Sequence, residues 1–124
     1  FTVPLNDRKL TPITNGWKRG TRATAYLGTY TGTRAGAPKG QALSYGFTKV
    51  TSFSLIAATG PNQGTVQVKY QGKVLRTINL GGPATGRSVF KIADFAAMRS
   101  GTLRIITTNK KPVQIGGLAA VTRP

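Results

Sequence analysis

The chain contains no cysteine and no histidine, and its 124 residues include only two acids, Asp7 and Asp94. Without cysteine there is no disulfide framework, and without cysteine or histidine there are no typical zinc ligands. Ser-His-Asp and Cys-His catalytic sites are excluded for the same reason. A glycosidase needs two carboxylates beside the scissile bond, and calcium prefers several carboxylates. We therefore expect a protein that is not an enzyme, has no metal site and carries no cofactor.

Positive charge is what the chain has in excess. Its 18 Lys and Arg give a formal net charge of +16, and they are spread along the whole sequence rather than gathered in a tail. A positive field over most of the surface favours polyanions or anionic surfaces as partners. Nucleic acid is a weaker candidate, because aromatic residues make up only 8% and no run interleaves them with cations.

The length fits a single domain that can bury a core. No apolar run approaches the length of a membrane-spanning helix, so we expect no membrane insertion. The chain begins at Phe1 without an initiator methionine. We interpret this start as the result of signal-peptide removal, which predicts a secreted, extracellular protein.

Residues 1–20 show no sustained periodicity, and Pro4 and Pro12 disfavour both a helix and a central strand there. We predict an extended N-terminal arm over residues 1–20, followed by a folded domain over residues 21–124. The arm, within residues 1–16, could dock on another protein chain by adding a strand to its sheet. The apolar side chains available for that docking are Phe1, Val3, Leu5, Leu10 and Ile13.

From Thr21 onward, short β-like runs alternate with turns rich in glycine and proline. The clearest run is TVQVKY, in which Val66, Val68 and Tyr70 would face the core. The run KVLRTINL follows two residues later, which predicts a hairpin closed by Gln71-Gly72.

The later runs continue this pattern. In TLRIITT, Leu103, Ile105 and Thr107 share one face. The only helical signal is ADFAAM, one or two turns in which Asp94 would cap the turn or pair with a cation. About eight short strands separated by Gly/Pro turns predict an all-β fold, a jelly-roll β-sandwich.

The candidate ligand-binding residues are aromatic or basic. Trp17, the only Trp, could stack on a sugar or a nucleobase, or it could instead anchor the arm. Tyr30 lies in a Gly/Thr-rich segment and is the best candidate to face a sugar. The pair at 110–111 is expected at an exposed hairpin tip, where cations either attract anions or protect strand edges. The full candidate set is Trp17, Lys18, Arg19, Tyr30, Arg34, Lys110 and Lys111.

Four stretches resemble, in order, a known module. They are NGWKRGTRATAYLGTYTGTRAGA, SFSLIAATGPNQGTVQVKYQGKVLRTINL, TLRIITT and VQIGGLAAV, and together they cover residues from about Trp17 to Val121. The module recurs in secreted actinobacterial proteins and is similar to carbohydrate-binding, galactose-binding-like jelly rolls. This resemblance implies a jelly-roll fold and glycan binding.

Two positions depart from the module. Its tight turn typically reads Asp-Gly, where this chain has Gln71-Gly72, and its return strand typically ends Val-Asp, where this chain has Ile78-Asn79. Both changes replace an acid with an amide and remove possible cation ligands. A calcium-dependent sugar site is therefore not expected.

Charge and resemblance together predict a non-catalytic, secreted module that binds glycan-rich or anionic cell-surface polymers. The glycan-binding part of this prediction comes from the resemblance to the module, and the anionic part comes from the charge. The alternative is a structural adaptor, a subunit of a larger extracellular assembly that docks through its N-terminal arm.

Overall fold

The computed structural model describes residues 2–7, 10–14, 16–21, 28–34, 38–70, 73–83 and 85–122, with residues 2–6, 48–49, 85–87, 93–99 and 122 described by their backbone alone. This part of the chain forms nine β-strands and no α-helix. The strands are β1 (Thr2–Asn6), β2 (Thr11–Pro12), β3 (Trp17–Thr21), β4 (Thr29–Thr33), β5 (Ala42–Thr59), β6 (Thr65–Tyr70), β7 (Lys73–Asn79), β8 (Thr85–Thr107) and β9 (Gln114–Thr122).

Every strand pair is antiparallel, and the hydrogen-bonded order is β3-β4-β9-β5-β8-β6-β7. In addition, β1 pairs with β9 and β2 pairs with β5. The strands form two packed antiparallel sheets, which confirms the predicted all-β jelly-roll β-sandwich. Strand β3 lies at one end of the strand order, and β7 lies at the other.

The long strands β5 and β8 connect the two sheets. Residues 42–47 of β5 pair with residues 101–106 of β8, and residues 50–59 of β5 pair with residues 85–99 of β8. The register shifts between Phe47 and Ser52, where the two halves meet. Such shifts bend a strand, and here they allow the same two strands to contribute to both layers of the sandwich.

The core contains the alternate residues that the sequence pattern predicts. In β6, Val66, Val68 and Tyr70 are buried, as predicted, and the residues between them are half-buried. In β8, the predicted face of Leu103, Ile105 and Thr107 is also buried.

Aromatic rings fill the region around the bend of β5. The ring centroid of Phe47 lies 4.6 Å from that of Phe53 in an edge-on arrangement. It lies 5.4 Å from the ring centroid of Tyr70. Contacts of this kind stabilise the point where the two sheets share a strand.

Two predictions about the strands are wrong. The segment ADFAAM is not helical, because residues 93–98 lie within β8, and Asp94 pairs with Ser52 of β5 in the strand register. The runs QALSYGF and VTSFSLIAA are not separate strands, because all of their residues from Ala42 onward lie in the continuous strand β5. The bend shifts the alternation of core-facing and outward-facing residues between the two halves of β5, so the sequence looks like two short strands. The predicted turn Gln71-Gly72 lies outside the described residues.

The prediction of an arm apart from the sandwich also differs from the structure. Strand β1 pairs with β9 over five residue pairs, from Thr2↔Val121 to Asn6↔Gly117. Strand β2 pairs with β5, and β3 pairs with β4. Prolines are tolerated at these sheet positions because β1 and β2 are short edge elements. The N-terminal segment is therefore part of the sheets.

The pairing of the N-terminal strands also determines how available the predicted docking residues are to a partner. Leu10 is 1% exposed and belongs to the core, so that prediction is wrong for Leu10, whereas Ile13 is 49% exposed. Val3 and Leu5 pair through their backbones with Ala120 and Leu118 of the same chain. Phe1 lies outside the described residues. The described part of the chain contains no helix that is long and apolar enough to cross a membrane.

Candidate functional site

The antiparallel pair β3–β4 sets the geometry of the candidate site. In its register, Lys18 lies opposite Gly32, and Gly20 lies opposite Tyr30. Residues directly opposite one another share a face, and so do alternate residues along one strand. These four residues therefore lie on one face of the sheet. Trp17 alternates to the other face, which packs on the core.

The ring of Tyr30 lies across two glycines. A Cβ atom built on Gly20 would be 2.5 Å from Cζ of Tyr30, and one built on Gly32 would be 3.1 Å from Cε2 of the same ring. No side chain fits under the ring at Gly20, and contact at Gly32 would be tight. Glycine at both positions therefore allows the ring to rest against the backbone of β3 and β4, with Tyr30 half-buried.

An open groove lies beside this ring, which we call the Tyr30 groove. Its volume is about 390 Å³. It combines an aromatic ring, small residues and three cations that come from separate segments: β3, the residue after β4, and the turn before β9. The residues that line it are Lys18, Tyr30, Gly32, Thr33, Arg34, Lys110, Pro112, Val113 and Gln114.

The electrostatics of the groove are uniformly positive. Lys18, Arg34 and Lys110 are exposed, and no carboxylate is among the described residues that line the groove. The backbone N–H of Arg34 donates to the carbonyl of Gly16 at 2.7 Å, which fixes the base of the Arg34 side chain at the end of β4. This arrangement can pair with negative charge on a ligand that also contacts the Tyr30 ring.

A second open cleft, which we call the Trp17 cleft, adjoins the first. Its volume is about 370 Å³, and it is lined by Pro12, Trp17, Lys18, Arg19 and Arg34. The two clefts thus share two of their lining residues, the cations at positions 18 and 34.

Trp17 lies in the wall of this cleft as part of the core. It is 5% exposed, and its Nε1 donates to the carbonyl of Ala42 at 3.0 Å. A ring buried to this extent cannot offer its face to a sugar or a nucleobase. The structure therefore supports the alternative role of Trp17 as an anchor, and its prediction as a stacking residue is wrong.

Arg19 also has a structural role. Its Nη1 donates to the carbonyl of Asp7 and to Oγ1 of Thr31, both at 2.7 Å, and its Nη2 donates to the carbonyl of Leu10 at 2.8 Å. These bonds use three of the five N–H groups of the guanidinium and tie Asp7 and Leu10 to β3 and β4. Arg19 is nevertheless exposed and lines the Trp17 cleft, so its role as a ligand contact stays a prediction.

Asp7, one of the only two acids, is fully buried at this point. Its carboxylate accepts hydrogen bonds from Thr29 Oγ1 at 2.6 Å and from Thr31 Oγ1 at 2.7 Å, and Nη1 of Arg19 lies 3.8 Å from Oδ2. Burial of a carboxylate is tolerated when charged and hydroxyl donors surround it. Asp7 therefore stabilises the wall of the site and does not face the groove.

Of the predicted ligand-binding residues, the structure brings four together in the Tyr30 groove: Lys18, Tyr30, Arg34 and Lys110. Lys111 is exposed, as expected for a turn residue, but it lines neither of the two clefts described above.

The sequence reasoning missed Gln114, Gly20 and Gly32. The spacing Tyr30-x-Gly32 places a ring and a glycine on the same face of a strand, and this pattern could have been recognised. Gln114 carries no comparable signal, because its place depends on the pairing of Gly32 with Gln114 between β4 and β9.

No metal site is evident in the described part of the chain, which contains no group of three or more potential His, Cys, Asp or Glu ligands. All the residues that line the two clefts belong to this described part.

The sandwich resembles solved carbohydrate-binding modules. A family 35 module from Clostridium thermocellum matches with a TM-score of 0.71 and 12% identity over 99% of both chains. The CBM36-1 domain of a multidomain xylanase, from the hindgut metagenome of Trinervitermes trinervoides, gives a TM-score of 0.68 and 13% identity over 100% of this chain and 99% of that chain. A family 6 carbohydrate-binding module from Clostridium cellulolyticum, solved in complex with xylose, gives a TM-score of 0.66 and 12% identity over 95% of each chain.

These similarities are confined to the structure. No protein-family model matches the chain, and no curated protein matches its sequence. The predicted likeness to the jelly roll of carbohydrate-binding modules is confirmed as a likeness of fold. What the groove of this chain binds must be inferred from its own residues.

Proposed function

We propose that this protein is a non-catalytic, secreted carbohydrate-binding module that recognises anionic glycans of cell surfaces through the Tyr30 groove. The observation that carries the proposal is the position of the Tyr30 ring, held over Gly20 and Gly32 in an open groove with three cations. An aromatic ring fixed at the surface offers an apolar face, which suits the apolar face of a sugar ring. The structural likeness to carbohydrate-binding modules supports this interpretation.

The cations favour an acidic glycan over a neutral one. Lys18, Arg34 and Lys110 line the same groove as the ring, and no described acid lines the groove to offset their charge. Uronic acid carboxylates and phosphodiesters accept charge-assisted hydrogen bonds from such groups, and arginine can bind either in a bidentate manner. The high net charge of +16 would also increase the rate of encounter with an anionic surface.

The residues of the groove give no support to hydrolysis. Glycoside hydrolysis needs two carboxylates on either side of one bond. Asp7 is buried behind β3 and β4, and Asp94 lies in β8, which is not adjacent to either of those strands in the sheet order. The proposed role is therefore binding alone.

Isothermal titration of the protein with oligogalacturonate tests this proposal. Replacing Tyr30 with Ala should weaken binding by about 1–2 kcal/mol, roughly tenfold, while Tyr30→Phe keeps the ring and should bind nearly as well as the wild type. Tyr45→Phe is the matched control, because Tyr45 packs against the core on another strand. Equal affinity of the wild type and Tyr30→Ala would show that the ring is not part of the site.

The adaptor alternative has less support from the same structure. Its docking segment is paired with β9 through Thr2–Asn6, and Leu10 belongs to the core. An adaptor that docks by strand addition would need that segment to leave its own sheet first.

A further inference from the structure

We propose that the Tyr30 groove and the Trp17 cleft form one continuous groove around the edge of the sheet, which binds an internal segment of a polyanionic chain. This proposal rests on the proposed function and specifies its ligand as a polymer of repeating acidic units. A single sugar would occupy only one of the two clefts.

The continuity of the groove follows from its shared residues. Lys18 and Arg34 line both clefts, so their side chains lie at the junction. Neither cleft is an enclosed cavity, and their volumes are similar, about 390 Å³ and about 370 Å³. Each volume is near the lower limit of small-molecule sites, about 300 Å³, so an extended ligand would need both.

The position of β3 explains how a chain could pass from one cleft to the other. Lys18 shares the outer face of β3 with the Tyr30 ring, whereas Trp17 belongs to the inner face. Strand β3 is also the terminal strand in the sheet order. A flexible polymer can therefore bend around the edge of β3 and contact both faces, passing Lys18 and Arg34 on its way.

The cations along this path come from different segments of the chain. Lys110 lines the Tyr30 groove alone, whereas Lys18 and Arg34 line both clefts. In the Trp17 cleft, the guanidinium of Arg19 is engaged with Asp7, Leu10 and Thr31, which leaves exposed Pro12 as an apolar wall. Acidic groups that repeat along a polymer can pair with cations in both clefts at once, whereas a single acidic sugar lies in one cleft only.

The chain length of the ligand provides the test. Galacturonate oligomers of one to five units and short glycerol phosphate oligomers are titrated into the full chain at fixed ionic strength. We expect the longest oligomer of at least one series to bind at least about tenfold more tightly than its single unit. The series that shows this increase identifies carboxylate or phosphate as the recognised group. Equal affinity for one unit and five units in both series overturns the proposal.

A pair of substitutions localises the second cleft. Pro12→Asp places a carboxylate in the Trp17 cleft, whereas Thr11→Asp adds the same charge at the neighbouring exposed position, which does not line it. We expect Pro12→Asp to weaken the long oligomer several-fold more than Thr11→Asp does, with the single unit unaffected by either. An equal loss for both variants overturns the continuous groove.

The outcomes also separate this proposal from the proposed function. If Tyr30→Ala weakens oligomers of every length while Pro12→Asp has no effect, the Tyr30 groove binds the glycan alone and the continuous groove is wrong. If no oligomer of either series binds, the proposed function fails and this proposal fails with it. The increase in affinity with length is measured on the wild-type protein, so it does not depend on how well either variant folds.

Discussion

Gly20 and Tyr30 lie opposite each other across the β3–β4 pair, and a Cβ atom at Gly20 would lie only 2.5 Å from Cζ of the Tyr30 ring. The glycine therefore determines where the ring can rest. The ring rests over the backbone of two glycines and lines the groove. The candidate site thus depends on two residues that contribute no functional group.

We predict that Gly20→Ala abolishes most of the binding by displacing the Tyr30 ring. Affinity for oligogalacturonate should fall about as far as in Tyr30→Ala, roughly tenfold, and the free energy of unfolding should fall by about 1–2 kcal/mol from overpacking. Titration calorimetry and urea denaturation measure the two effects. Gly46→Ala is the control, because a Cβ at Gly46 meets nothing within 4 Å. If both variants bind like the wild type, the ring does not depend on Gly20.

We predict that the affinity for anionic oligomers falls with salt and that Lys18 contributes to this dependence. For nucleic acids, the slope of log K against log salt changes by about 0.7–0.9 for each phosphate that is neutralised, and we expect a similar change for acidic glycans. Lys18→Ala should reduce the slope by the amount expected for one ion contact. Lys73 is an exposed cation on β7, and Lys73→Ala should leave the slope unchanged. Affinity that is flat across salt concentrations would indicate a site for neutral sugars.

We predict that substitutions of the neighbouring cations Arg19 and Lys18 differ in their effect on stability. Arg19→Ala leaves the buried Asp7 carboxylate without its cation, so the free energy of unfolding should fall by about 1–3 kcal/mol. The Lys18→Ala variant should unfold like the wild type, because Lys18 is an exposed residue. Urea denaturation monitored by Trp17 fluorescence measures the difference. Equal stability of the two variants would contradict the structural role of Arg19.

Because the N-terminal strands pair within the sheets, we predict that removing them destabilises the fold. Deletion of residues 1–10 removes β1, the buried Asp7 and the core residue Leu10, so the free energy of unfolding should fall by at least about 3 kcal/mol. Thermal and urea denaturation test this. Ile13→Ser, at a 49% exposed position of the same region, should change stability by no more than about 0.5 kcal/mol. An unchanged transition after the deletion would mean that the segment is an independent arm.

The sequence predicted the parts of the fold that rest on local alternation. Strand β6 shows this, since Val66 and Val68 follow the period of two and are buried. The sequence could not predict that β5 is one strand, because a bulge changes which residues face the core and so hides the continuity.

The candidate site was predicted in part. Residue type alone singled out Lys18, Tyr30 and Arg34, which the structure brings into one groove. Residue type could not separate Lys18 from Arg19, because the role of Arg19 depends on partners that lie 9–12 residues away in the sequence and are brought close only by the fold. The burial of Asp7 likewise depends on long-range pairing, since its partner Thr31 is 24 residues away.

The position of the bound glycan is the most direct test of the account. In a two-dimensional NMR titration of the isotope-labelled chain with galacturonate pentamer, we expect the largest shifts in the backbone amides of Lys18, Tyr30, Arg34 and Gln114, which line the Tyr30 groove. The amides of β7 (Lys73–Asn79), at the other end of the sheet order, should not move. Shifts confined to β7, with none around Tyr30, would contradict the assignment of the Tyr30 groove as the glycan-binding site.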